Sequence, residues 1–585
     1  MSFSLLLADL TENIDGLSEP ERLHALFDLC WDHHLEDFPE QATSFGVSGH
    51  GHRWTDRSES AIDRRKGERR DVLTAVRSID ATQLEDTDRL SLELMRRRYA
   101  QSVDGQSLPR ELMPISMMGG PQTSLVRTFE RMPTGQLGHL DDHIARLHGV
   151  GVYLDQLIGL MEEGIARNVT PARLTVEDIP RQLEALLETP TQNSPFLVGF
   201  AARAPHMDQA EFDDLRADAV DALENATQPA LRRFIGFLRD TYLPACRTTI
   251  ACADLPDGEA WYRHQVRQFT TTSMDPAEIH ELGVAEVKRI RSEMDEAMVD
   301  AGHTGTFEEF CDHLRTSPEF FHTTAEDLLR GYRDIAKRID AGLPRLFGVL
   351  PRLPYGICPI PDHEAPNTTT AYYLRGSIEA KRPGWFAANT YDLNSRPTWE
   401  MEALTLHEAV PGHHLQLALQ AELDGLPKQR TMGIGADEHD IGDTAYVEGW
   451  GLYAEKLGSE LGLYTDPHSR FGQLTYEMWR AVRLVVDTGI HAFGWTRQQA
   501  IDFFAANSSK PIHDITVEVD RYISWPGQAL AYKLGELTFL RLRAEATDAL
   551  GSRFDISAFH DHVLGAGALP LDMLEERFRN WLADA

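Results

Sequence analysis

The chain has 585 residues, 42% hydrophobic and 25% charged, the balance of a globular protein with enough apolar mass to bury a large core. Lys and Arg number 57 against 91 Asp and Glu, a formal charge of −34 that repels phosphate backbones and anionic lipid surfaces and argues against nucleic-acid and membrane-surface roles. The acids are spread through apolar-periodic sequence and form no runs, so the charge does not signal disorder.

The first residues, MSFSLLLADLTENIDG, place no basic residue ahead of a short apolar stretch, unlike a signal peptide. No apolar run approaches the roughly 18 residues of a membrane span. Cys30, Cys246, Cys252, Cys311 and Cys358 are odd in number and form no CxxC, which suggests neither a disulfide framework nor a thiolate metal site. The cytoplasm is the expected location. Residues 21–38 (ERLHALFDLCWDHHLEDF) have apolar residues at helical spacing. His33 and His34 within them, and His363 later, receive no role. Near residue 250 the segment ACADLPDGEAWY interrupts the helices. It suggests an N-terminal helical region, 1–250, and a catalytic, metal-binding region, 251–585, unless the two form one domain. Asp275-Pro276 opens a long helix that Gly302 can close, and Thr323 or Thr324 caps another through EDLLRGYRDIAKRID. From about Leu353 to Pro397 the chain turns rich in Pro, Gly, Thr and Tyr. Two strand-like runs, Thr369–Leu374 and Trp385–Tyr391, predict a small hairpin or sheet. Helical patterning resumes near Trp399. The expected fold is mainly α, with a small sheet beside a metal-binding helix.

That helix is Leu404–Gln420, LTLHEAVPGHHLQLALQ. Two imidazoles can bind zinc, and a carboxylate beside the first can activate water. The usual spacing is HExxH, because residues four apart share a helix face. Here His407 and Glu408 are followed by His413, two residues too far. On a straight helix the two rings would diverge by about 120° and stand about 9 Å apart along the axis. Two residues must therefore leave the helix. Pro411 lacks the N–H that would bond back to the turn, and Gly412 tolerates angles other residues resist. A bulge there returns His413 to the metal. The rival ligand is His414, on nearly the face of His407 but about 10 Å along the axis. The apolar flanks Leu404, Leu406, Val410, Leu415 and Leu417 predict a buried helix, where histidines and a glutamate need a reason. A third ligand is expected from Glu448 in TAYVEGWGLYAEKLG. Glu455, seven residues on and on the same face, would orient a histidine. In YEMWRAVRLVVDTGIH, residues Arg480, Arg483, Asp487 and His491 share one helix face. An arginine there can clamp a substrate carboxylate and Asp487–His491 can relay a proton; an internal salt-bridge network fits equally. Arg521 and Tyr522, before the SWPGQ turn, are candidates to reach the same cavity. No nucleophile elbow, phosphate loop or dinucleotide fingerprint is present.

HEAVPGHHLQ, with PGWFAANTYDL upstream and YVEGWGLYAEKLG and PGQALAYKLGE downstream, resembles the bacterial family called domain of unknown function 885, over nearly the whole chain from about residue 20. More distantly it is similar to the helical zinc peptidases of the thimet oligopeptidase and thermostable carboxypeptidase kind. Those have HExGH, a glutamate ligand, a second glutamate seven residues on, and a GYxxxY segment whose tyrosines stabilise the transition state. The likeness matches Gly412-His413 to their Gly-His, Glu448 and Glu455 to their glutamates, and Tyr532 to the last tyrosine. The chain departs from them by two inserted residues and by Gln528 in place of the first tyrosine. The likeness also implies that WFAANTY is an edge strand pairing with the substrate backbone, with Asn389 a contact. The resulting expectation is a zinc metallopeptidase of short peptides. His407, His413 and Glu448 hold the metal, Glu408 is the general base, and Tyr532 the oxyanion donor, helped by Tyr522 or Lys533. Hydrolysis of a non-peptide amide or ester by the same centre is the alternative. So is a non-catalytic helical binding protein derived from a peptidase, against which the intact Glu408 argues. Oligomeric state and cleavage position are not readable.

Overall fold

The computed structural model describes all residues except 1, 14–15, 363–364, 366–368, 379–380, 438–441 and 585, so His363 lies outside the described residues. The fold is mainly α with one three-stranded sheet. The chain divides into two compact units, Met1–Gly258 and Glu259–Ala585, and the division falls inside the ACADLPDGEAWY segment.

The first unit is helical. α1 (Glu19–Asp37) begins two residues before the sequence-based start, because Ser18 and Glu21 form a reciprocal cap and Pro20 fits the first turn. Its Leu23, Leu26, Phe27 and Cys30 share an apolar cluster with Val72, Leu73 and Val76 of α2 (Glu59–Ser78) and with Leu92 and Met95 of α3 (Asp86–Asp104). α4 (Leu137–Ala166) is the longest helix of this unit among the described residues.

In the second unit, after the helix Gly258–Thr270, comes α5 (Pro276–Asp300), capped by Asp275 and Glu278 and followed by Gly302 at φ 76°. Thr324 caps α6 (Ala325–Asp340) by accepting from the Asp327 N–H. Three strands follow: β1 (Tyr355–Pro359), β2 (Ala371–Leu374) and β3 (Gly384–Ala388). β2 and β3 pair antiparallel, as the two strand-like runs predict. β1 pairs parallel on the other side of β3. The sheet order β1-β3-β2 makes β3 the central strand. This corrects the expectation that WFAANTY forms an edge for a substrate backbone. Both edges of β3 are taken, and the outer edges belong to β1 and β2.

Six of the later helices frame the site: α7 (Met401–Glu408), α8 (His413–Glu422), α9 (Thr444–Lys456), α10 (Pro467–Phe493), α11 (Ile512–Ser524) and α12 (Ala531–Leu550). α10 is buried over nearly its whole length. α5 lies close against it because Gly283 has no side chain; a Cβ there would meet Leu484 Cβ at 2.7 Å. α9 and α12 approach through Gly449 and Gly535, where a Cβ on Gly535 would fall 1.9 Å from the Ala445 carbonyl oxygen. Among the described residues no helix is long and apolar enough to cross a membrane.

That crossing has no room for a methyl group, since backbone atoms confront it. Gly535→Ala is expected to lower the thermal unfolding midpoint, at a cost of about 2–3 kcal/mol. Gly159→Ala in α4, whose Cβ would meet nothing within 4 Å, is expected to be neutral or to stabilise by about 0.5–1 kcal/mol. Equal midpoints for the two variants would contradict the close approach.

Candidate metal centre

α7 ends at Glu408 and α8 begins at His413. Between them the chain leaves the helix: Ala409 adopts φ −99° and ψ −114°, Gly412 φ −74° and ψ −128°, and the Val410–Pro411 peptide is cis. Gly412 is needed for space. A Cβ there would lie 2.0 Å from the His407 carbonyl oxygen and 2.3 Å from that of Leu406. The Trp450 indole N–H donates to the Pro411 carbonyl at 2.8 Å, satisfying a backbone acceptor that the break releases.

The excursion brings His407 and His413 together, with ring centroids 4.7 Å apart and planes at 86°. Glu448 on α9 reaches both: its Oε2 is 3.6 Å from each Nε2. One ligand atom from each of the three residues lies within 4.8 Å of the others. Ligand atoms sharing a tetrahedral zinc at about 2.0–2.2 Å stand roughly 3.3–3.6 Å from one another, so the donors fit one such ion with little movement. Gly451, one turn beyond Glu448, leaves room for the ring; a Cβ there would sit 2.8 Å from His407 Cε1. Glu455, fully buried, accepts from His407 Nδ1 at 2.8 Å and so turns Nε2 toward the other donors. His413 Nδ1 has no such partner.

The three donors also act on one another electrostatically. Burial opposes charge on His407, but the carboxylates of Glu448 and Glu455 outweigh it and hold the imidazole up to about 9. Burial, with His407 adding, keeps His413 down at about 4. Glu448 resists burial through its contact with His407 and stays down at about 2. Glu408 has none of those partners: burial pushes it up to about 7, with Glu448 adding while His407 and Arg480 pull back.

The rival ligand His414 faces elsewhere. Its Nε2 donates to the Leu353 carbonyl at 3.1 Å and its Nδ1 accepts from Tyr373 at 2.9 Å, so it ties α8 to the sheet. Asn389 is not a substrate contact. Its amide donates to the carbonyls of Ala365 and Thr369, and its oxygen accepts from the Tyr391 N–H, pinning the loop after β3. Tyr522 cannot help at an oxyanion either: its hydroxyl serves Glu518 and receives both Arg483 and Trp479. Lys533 is spent on three carboxylates, Glu477 at 2.8 Å, Glu536 at 2.6 Å and Glu286 at 3.0 Å. Asp487 accepts from Tyr262 at 2.6 Å and from the Gly527 N–H, while His491 Nε2 donates to the Tyr522 carbonyl. These two pin the turn before α12, and burial pushes Asp487 up to about 7.

Tyr532 remains. Among the described residues its hydroxyl has one hydrogen-bond neighbour, Arg521 Nη2 at 3.4 Å, which leaves the hydroxyl hydrogen uncommitted. Gln528 takes the same Arg521 nitrogen at 2.8 Å, and the Arg483 guanidinium lies 4.3 Å over the Tyr532 ring. Arg480 stands 3.8 Å from Glu455 and reaches toward the same ring. Gly451, Trp450 and Glu518 escaped the sequence reading. The GWG triplet beside Glu448 was the available signal for the first two. A second group in the first unit, His33, Asp37 and Glu68, also brings ligand-type atoms together. Arg64 already bridges its carboxylates at 2.6 and 2.7 Å, so that group is an ion-pair cluster.

A sequence model of a bacterial family of proteins of unknown function, DUF885, matches residues 39–578. The crystal structure of a "putative lipoprotein" from Colwellia psychrerythraea superposes with a TM-score of 0.90 at 26% identity, over 97% of this chain and 100% of that one. One of a "putative lipoprotein of unknown function" from Shewanella oneidensis gives 0.74 at 16%, over 96% and 99%, a likeness of fold. No curated protein matches the chain.

Metal analysis after dialysis against zinc is expected to find about one ion per chain, lost on His407→Ala or Glu448→Ala and retained on His414→Ala. Glu455→Gln is expected to weaken metal affinity about 10–100-fold. Loss of the metal in His414→Ala alone would contradict this arrangement.

Proposed function

We propose that this chain, which belongs to the bacterial family DUF885, is a zinc-dependent hydrolase of peptide bonds in short peptides. The observation that supports this most is the convergence of His407, His413 and Glu448 beside a buried carboxylate, Glu408, that no hydrogen bond or ion pair engages among the described residues. A structural metal site has no use for such a group; a hydrolytic one needs it as a base.

When bound, zinc supplies a Lewis acid that polarises the scissile carbonyl and acidifies water. Glu408, at the last turn of α7 next to His407, takes the proton of the attacking water and passes it to the leaving amine. Glu455 keeps the His407 ring in place through Nδ1. Tyr532, its hydroxyl hydrogen free and two guanidinium groups close by, donates to the oxygen that gains charge. Arg521 is steadied by Gln528, so the residue that replaces a tyrosine holds a cation against Tyr532. The outer edges of β1 and β2 are what the sheet offers an extended peptide.

Glu408→Gln is expected to keep its zinc and lose turnover of a peptide substrate by at least about 10³-fold, because it removes the base and no ligand. Tyr532→Phe is expected to lower kcat by about 10²-fold with zinc unchanged, the size of one lost oxyanion donor. Steady-state kinetics with parallel metal analysis read both. Full turnover in Glu408→Gln would refute the mechanism.

A further inference from the structure

α10 carries a guanidinium that the fold buries and leaves mostly unused. Arg480 is 7% exposed. Among the described residues it makes one hydrogen bond, from Nη1 to the Tyr476 carbonyl at 3.2 Å. The nearest carboxylate oxygen, on Glu455, is 3.8 Å from Nη2, and Nε has no partner. Arg146 in the first unit shows what burial ordinarily demands: all three of its nitrogens donate, to Arg53, Thr43, Pro39 and His50. Leaving buried donors unmade costs free energy, which a ligand can return.

The surroundings of Arg480 form a cradle. The rings of Tyr476, Trp479 and Tyr532 lie 4.9, 5.5 and 5.9 Å from its guanidinium carbon. Arg483, one turn on, is also buried. It donates to Tyr522 and Glu518, and its Nη1 has no partner. Arg521 donates to the same Glu518. Arg483 and Arg521 therefore share one carboxylate, Glu518, while Arg480 is hydrogen-bonded to no carboxylate among the described residues and has only Glu455 at 3.8 Å. Planar, forked donors select planar, forked anions, so the fitting ligand is a carboxylate.

Its position says which carboxylate. Arg480 Nη2 is 3.8 Å from the Glu455 oxygen that accepts from His407 Nδ1 at 2.8 Å, so the guanidinium borders the reacting groups. Arg483 is farther along α10 by about 4.5 Å. An extended peptide advances about 3.3–3.6 Å per residue. With a single carboxylate, Glu455, between the Arg480 guanidinium and the His407 ring, a carboxylate bound there stands within about two residues of the bond beside Glu408.

We propose that Arg480, with Arg483, binds the free C-terminal carboxylate of the substrate, so that the enzyme removes one or two residues from the C-terminus of short peptides. The cleavage half rests on the hydrolase reading above; the carboxylate site does not. Hydrolysis breaks the C–N bond, the hydroxyl of water going to the carbonyl carbon and its proton to the departing amine. The products are a shortened peptide and a free amino acid or dipeptide.

The test uses zinc-loaded Glu408→Gln protein and an N-terminally dye-labelled tetrapeptide, as free acid and as C-terminal amide, with binding read by fluorescence anisotropy. The free acid is expected to bind about 100-fold more tightly than the amide. Arg480→Gln should bring the two within about threefold with zinc content unchanged, and Arg480→Lys should restore part of the preference. Equal binding of acid and amide by protein with both arginines intact overturns the proposal, whether or not the arginine variants fold. With the unsubstituted enzyme, mass spectrometry should show loss of one or two C-terminal residues from the acid. Internal cleavage of the amide at the same rate would also overturn it. A strong preference for the acid with no hydrolysis of either peptide supports the carboxylate site and removes the hydrolase reading instead.

Discussion

The α carbon of Gly412 sits so close to the preceding turn that a methyl group on it would stand 2.0 Å from one carbonyl oxygen and 2.3 Å from another. That closeness lets His407 and His413, six positions apart, point their rings at one place. A continuous helix would carry the second ring off to the side and along the axis. Pro411 interrupts the hydrogen-bond ladder, and Trp450 accepts the task of satisfying the carbonyl that the interruption exposes. α9 thus does two things at once: it props the break and delivers Glu448. It can come near enough because Gly451 faces the His407 ring and Gly449 faces Gly535.

Buried charge locks this arrangement from behind. Lys456 follows Glu455 on α9 and pairs with Glu477 of α10 at 2.8 Å. Lys533 of α12 reaches the same Glu477, together with Glu536 and with Glu286 of α5. Burial works against the Glu477 charge, but Lys533, Lys456 and Arg289 hold its carboxyl well below the usual range. Such networks contribute little net stability after desolvation, and what they do contribute is a defined geometry. Here they fix four helices around the three converging donors. Arg480 stands out against that background, as a buried cation 3.8 Å from Glu455 with most of its donors idle.

Much of this was readable from local chemistry. Caps at Asp275 and Thr324 mark helix starts because their side chains answer orphan N–H groups close by in sequence. The inserted pair at Pro411-Gly412 was readable because helix geometry leaves no other way to join His407 with His413. His413 and His414 could not be separated by spacing. They diverge because consecutive residues on α8 point about 100° apart, one ring toward Glu448 and the other toward Tyr373 and Leu353. The misreadings share a cause: each residue's partner is distant in sequence. β1, YGICP, carries Gly and Pro and little alternation, so nothing local announced a strand that would close the second edge of β3. Tyr522 is consumed by Arg483 and Trp479, and Lys533 by Glu477 and Glu286, all on other helices.

The central claim is that one ion joins α7, α8 and α9. Anomalous difference maps from crystals of protein prepared without chelator, collected on either side of the zinc absorption edge, test it most directly. The account predicts a single strong peak present only above the edge, about 2.0–2.2 Å from Nε2 of His407, Nε2 of His413 and a carboxylate oxygen of Glu448. A map with no peak there, or a peak ligated by His414, would contradict it.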